Sequence, residues 1–191
     1  MRALAVLALG LGLTAQEDGA RLVAAARAQI GVTVRYDGAY RRLAYPGGDV
    51  PMDRGVCTDV VIRAYRVLGI DLQVLVHQDM ARHRAAYPNL WGARGTDRSI
   101  DHRRTPNQIV FFRRFGDELP TGIAGEAAAT WKPGDIVYCR LPGGAGHVGV
   151  CSNARNRDGL PLVIHNLSMA RQEDCLTAWQ ITHHFRFPAN E

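Results

Sequence analysis

Hydrophobic and polar positions follow two different periods along this chain, and the change comes past its middle. Between Gly19 and Ile30 apolar residues recur at Leu22, Val23, Ala26 and Ile30, a spacing that predicts a leading helix stopped by Gly31. Thr33 to Gly48 mixes tyrosines, arginines and glycines without a period and reads as irregular. Cys57 then opens a run to about Leu68, with Val60, Val61, Ala64 and Leu68 on one face and Gly69 past its end. That pattern predicts a helix packed on a sheet. Leu75 to Tyr87 predicts a more polar helix broken by Pro88, and Asn89 to Arg104 a loop rich in glycine and charge. Thr105 and Pro106 supply an N-cap and a first-turn proline for a helix through Asn107 to Phe115, which Gly116 ends.

The second half reads as strands. A turn at Trp131 to Asp135 leads into Ile136 to Leu141, and the loop Pro142 to Gly146 separates that run from His147 to Cys151, so the two predict a hairpin. After a polar turn at Asn153 to Gly159, Leu162 to Leu167 is apolar almost throughout, as suits a central strand, and Ile181 to Phe187 adds a last one. Helices first and antiparallel strands after is the α+β order.

With 191 residues and no polar linker or internal repeat, residues 16–191 are expected to form one domain. Residues 1–15 read as a signal peptide: Arg2 is its charged start, Ala3 to Leu13 its apolar core, and cleavage is expected near Ala15. The apolar run falls short of the roughly 20 residues that span a bilayer, so a periplasmic or secreted protein without a stable membrane anchor is expected. The net charge is +5, and Lys132 is the only lysine among 23 basic residues. GC-rich coding produces that bias, and so does a need for guanidinium forks on an anionic polymer. No RNA-binding aromatic motif or helix-turn-helix pattern stands out, which argues against nucleic acid as partner. A protein partner of unknown kind stays open.

Cys57 follows the turn-rich stretch Pro46 to Gly55 and heads a helix. Backbone N–H groups and the positive helix end should therefore face its sulfur and favour thiolate. A cysteine hydrolase also needs an imidazole base and a polar group to orient it, and His147 and His165 on predicted neighbouring strands supply both. His147, Gly149 and Cys151 should share a face. A zinc centre from Cys139, His147, Cys151 and His165 is the rival, though no CxxC, HxxxH or HExxH spacing is present. Cys139 and Cys151 flank the glycine loop, but pairing across adjacent strands is geometrically demanding and buried thiols are expected. The hydrolase reading calls for no metal and no cofactor.

The helix-start cysteine, Trp131-Lys132-Pro133-Gly134-Asp135-Ile136-Val137, Gly146-His147-Val148-Gly149-Val150 and Ile164-His165 together resemble the NlpC/p60 cell-wall peptidases, which have a papain-like fold. Gly55-Val56-Cys57-Thr58-Asp59-Val60-Val61-Ile62-Arg63, Ile100-Asp101-His102-Arg103-Arg104 and Val163-Ile164-His165-Asn166 more closely resemble the bacterial "domain of unknown function 1287" group in that superfamily. The resemblance implies a papain-like NlpC/p60 fold with the nucleophile-bearing helix packed on an antiparallel sheet. It implies Cys57 as nucleophile, His147 as general base, His165 as orienting residue, and hydrolysis of a peptidoglycan stem-peptide amide through a thioester. NlpC/p60 enzymes usually carry Asp-Cys-Ser-Gly, whereas this chain has Val56-Cys57-Thr58-Asp59. Tyr36 is a candidate for the family's upstream oxyanion tyrosine, with Tyr40 and Tyr45 as competitors. Arg103 or Arg104 is a candidate fork for a stem-peptide carboxylate, Asp101 for an amine, and His102 an alternative imidazole. A non-cleaving binder of wall fragments and a thiol acyltransferase remain the alternatives.

Overall fold

The computed structural model describes residues 15–92 and 94–188. The expected signal segment lies outside them, apart from Ala15. Helix α1 (Ala15–Arg27) buries Leu22, Val23 and Ala26 and begins four residues before the predicted start at Gly19. Turns carry the chain on to Gly31, so Ile30 lies beyond the helix and is exposed. Two short strands, β1 (Arg35–Tyr36) and β2 (Arg54–Gly55), pair in parallel just ahead of α2 (Cys57–Val67).

Every residue of α2 from Cys57 to Tyr65 is buried, so the polar side of this helix is covered as well as its apolar one. Its polar residues are buried with partners. The Arg63 guanidinium donates to Asp49 at 2.8 Å, to Thr33 Oγ1 at 3.0 Å and to the carbonyls of Val50 and Arg54, tying the irregular segment before Cys57 to the helix. α3 (Leu72–Arg82) starts at an Asp71 cap whose carboxylate accepts the Gln73 N–H. α4 (Thr105–Phe115) is capped at Arg104, one residue before the predicted Thr105, so Thr105 and Pro106 both lie in its first turn.

The remaining strands are β3 (Asp117–Leu119), β4 (Ile136–Arg140), β5 (Gly146–Arg155), β6 (Pro161–Asn166), β7 (Ala170–Glu173) and β8 (Gln180–Arg186). They form a six-stranded antiparallel sheet in the order β3-β8-β4-β5-β6-β7, giving a mixed α+β fold. One sheet face sends Ile136, Tyr138, Val148, Val150, Ile164 and Phe185 into the helices. The other packs Val137, Cys151 and Val163 under Trp131, Leu160, Cys175 and Leu176. Each fully buried large apolar side chain contributes roughly 1.5–3 kcal/mol. All four cysteines are buried and free. Among the described residues no helix is long and apolar enough to cross a membrane.

Gly149 lets β6 come close to β5 where the two candidate imidazoles lie. A Cβ there would stand 2.4 Å from Val163 Cγ1, 2.9 Å from the Ile164 carbonyl oxygen and 3.1 Å from His165 Cβ. Backbone and packed side chains cannot yield cheaply, so Gly149→Ala should cost about 1–3 kcal/mol. Urea unfolding measures this, and an unmoved midpoint would show that β6 gives way freely.

Candidate active site

The site begins with a helix start that has no conventional cap. Val56 occupies the N-cap position and offers no side-chain oxygen. Asp59, in the first turn, reaches back and accepts the Val56 N–H at 2.7 Å. Gly55 makes room for this, since a Cβ there would lie 2.8 Å from Asp59 Oδ2. The Gly55 carbonyl in turn accepts from Asn166 Nδ2 at 2.9 Å, which fastens the end of β6 to the residues preceding Cys57.

The Cys57 thiol is 3% exposed and meets β5 through the backbone: the Val148 N–H hydrogen-bonds to the sulfur. This seats the sulfur against the peptide that follows His147. The Val148 and Val150 side chains join the helix-facing core, while His147 lines the opposite side with Cys139, Gly149, Val163 and Trp179. His147 Nε2 lies 3.1 Å from His165 Nδ1, and His165 Nε2 lies 3.0 Å from Glu173 Oε2. The Trp179 ring stands edge-on to both imidazoles, with centroids at 5.3 and 5.1 Å, and shields their hydrogen bond from water. Tyr36 joins the site from β1. Burial first, and then the nearby Cys57 charge and a side-chain hydrogen bond to Cys57, push its hydroxyl up to about 12.

Electrostatics here departs from the thiolate expected of a helix start. Burial pushes the Cys57 thiol up to about 11, and the neighbouring Asp59 charge adds to the rise. The N–H groups of Val148, Thr58 and Cys57 itself act the other way and do not offset it. Burial, followed by the charge of His165, brings His147 down to about 3, and burial also lowers His165. Cys57 therefore rests as a thiol and His147 as a neutral imidazole.

Residues 101–104 differ from the loop expected there. Asp101–Arg103 is a buried 3₁₀ turn against α2 and α3. Arg103 forms a bidentate pair with Asp59, at 2.8 Å for both bonds and with both side chains 2% exposed, so its fork is already occupied. Asp101 accepts from the Asp97 N–H and from Arg104 rather than facing solvent. His102 is buried, and burial lowers it to about 4; its Nδ1 has no hydrogen-bond partner among the described residues. Arg104 is partly exposed and lies over the Trp91 ring at 4.3 Å. The structure thus gives Arg103 the task of holding Asp59. Among the described residues, no group of three or more His, Cys, Asp or Glu side chains is placed to hold a metal ion.

Sequence reasoning assigned no role to Asp59, Asn166, Glu173 or Trp179. Asp59 carried a signal, as an acid three residues after an N-cap position. Glu173 carried none, because only the pairing of β6 with β7 brings it to His165.

The model of a family described as "Domain of unknown function (DUF1287)" matches residues 23–187. The chain belongs to the DUF1287 family. This DUF1287 chain is 50% identical over 163 residues to the uncharacterized protein YijF of Escherichia coli (strain K12), covering 85% of this chain and 78% of that one. It is distantly similar in fold to two crystal structures, at 1.07 and 1.15 Å resolution, of a N-acetylmuramoyl-L-alanine amidase from Bacteroides uniformis ATCC 8492. Their TM-scores are 0.49 and 0.48 at 13% and 14% identity, over 89% of this chain and 98% of theirs.

Two outcomes follow from the geometry. Asp59→Ala removes the partner of a buried guanidinium together with the Val56 contact, and should destabilise by about 3–5 kcal/mol in denaturant titration. Alkylation of Cys57 by iodoacetamide, followed by peptide mapping, should speed up about tenfold per pH unit between pH 7 and 9. A rate already level below pH 7 would instead indicate a preformed thiolate.

Proposed function

We propose that this DUF1287 protein is an exported cysteine hydrolase of the papain-like NlpC/p60 type that cleaves an amide bond in peptidoglycan stem peptides. The observation that carries the reading is the seat of the Cys57 sulfur on the N–H of Val148, the residue after His147, whose ring is held by His165, which is held in turn by the Glu173 carboxylate. The motif resemblance to cell-wall peptidases supplies the substrate class.

In this reading His147 Nδ1 meets the sulfur around the end of β5, of which His147 is the second residue. Because thiol and imidazole rest neutral, proton transfer accompanies attack. The thiol proton passes to His147 Nδ1 as the sulfur bonds to the carbonyl carbon, and the Tyr36 hydroxyl donates to the developing oxyanion. The C–N bond then breaks, the amine departs with the proton from His147, and a thioester remains. Water gives a proton to His147 as it attacks the thioester. The sulfur leaves, recovers that proton, and the acid product is released.

A non-cleaving binder of wall fragments is the second reading, and the buried, protonated Cys57 is the observation that favours it. Mass spectrometry of purified peptidoglycan incubated with wild type and with Cys57→Ala separates the two. The hydrolase reading expects soluble fragments carrying one added water, lost by roughly a thousandfold or more in the variant. Equal release by both proteins removes Cys57 as nucleophile. Retention of fragments without new products supports the binder, and products carrying an acceptor in place of water indicate a transferase.

A further inference from the structure

We propose that Glu173 is a positioning residue that sets the tautomer of both imidazoles and so leaves a bare lone pair on His147 Nδ1. Two neutral imidazoles joined by one hydrogen bond can be oriented in either direction. His147 Nε2 can donate to His165 Nδ1 across the 3.1 Å contact, or the reverse. In the first arrangement His147 Nδ1 carries a lone pair. In the second it carries a hydrogen and is no base. Nothing within the pair chooses between them.

The choice comes from the far end of the chain of contacts. Glu173 Oε2 lies 3.0 Å from His165 Nε2, and its other oxygen takes the Arg171 Nη1–H at 2.9 Å. A carboxylate held this way only accepts. His165 Nε2 must then carry the hydrogen, so His165 Nδ1 accepts and His147 Nε2 donates. The remaining nitrogen, His147 Nδ1, is left with its lone pair. The sheet builds this arrangement: β7 pairs with β6 so that Glu173 stands opposite Val163 and Arg171 opposite His165, on the same face as both. Trp179 closes over both rings, which keeps water from supplying a competing donor.

The catalytic value of the lock rests on the hydrolase reading above, whereas the tautomer itself does not. Long-range proton–nitrogen correlation NMR on protein with ¹⁵N-labelled, assigned histidines reads each ring directly. Wild type should show His147 and His165 both protonated at Nε2, and Glu173→Leu should show mixed tautomers at both. Glu173 is a third exposed on an edge strand, so the variant is expected to fold, which circular dichroism checks. An Nδ1–H signal on either ring of wild type, or unchanged tautomers in folded Glu173→Leu, overturns the proposal. If that variant does not fold, the wild-type spectrum alone decides. On peptidoglycan, Glu173→Leu should lower turnover by at least about tenfold. A wild type with both rings protonated at Nε2 but no hydrolysis would leave the lock standing and remove the hydrolase. A hydrolysing wild type with His147 protonated at Nδ1 would do the opposite.

Discussion

One carboxylate organises the ground around Cys57. Asp59 holds the Val56 N–H that starts α2 and, with the same oxygens, the guanidinium of Arg103 from 44 residues downstream. Removing either partner would leave a charge buried in a low-dielectric interior, so the two elements are bound to each other. Other constraints follow. Gly55 must lack a side chain for Asp59 to fit, and its carbonyl is then free for Asn166 at the end of β6. Its backbone pairing to Tyr36 brings that hydroxyl to the sulfur. Through this set of contacts a helix start, a strand end and a distant 3₁₀ turn share one geometry.

Burial has an electrostatic consequence that opposes the helix start. The backbone N–H groups around the sulfur and the positive end of α2 favour thiolate, yet desolvation is the larger effect and keeps Cys57 protonated. Desolvation acts on His147 in the opposite chemical sense and removes its tendency to charge. A dry site lowers the reactivity of both groups at rest. It also makes any hydrogen bond formed there stronger than it would be in water. In the hydrolase reading, chemistry at such a site depends on which nitrogen of His147 holds a proton more than on a standing charge pair.

How much of this was legible before the structure depended on the range of the interaction concerned. The α2 boundary, the β4–β5 hairpin and the central β6 strand follow from local signals: a glycine-bounded helical period, a glycine loop between apolar runs, and an apolar run too short for a helix. The edge strands β3 and β7 gave no such signal, being three and four residues long and largely polar. The loop expected at 89–104 turned out to contain a buried turn, because its charges find partners far away in sequence. Composition cannot distinguish a solvated arginine from one paired in the core.

By itself the sequence determined which residue types could act and the order in which they appear: a cysteine at a helix start, and histidines on two strands that follow. Those features are written in neighbouring residues and repeat with the period of the element that carries them. Only the tertiary structure decided who faces whom. It set Arg103 on Asp59 rather than toward solvent, put Glu173 behind His165, and laid Trp179 over both rings. It also decided that the thiol rests protonated. The physical reason is that ion pairing, strand register and desolvation depend on distances across the fold, and no local spacing of residues encodes them.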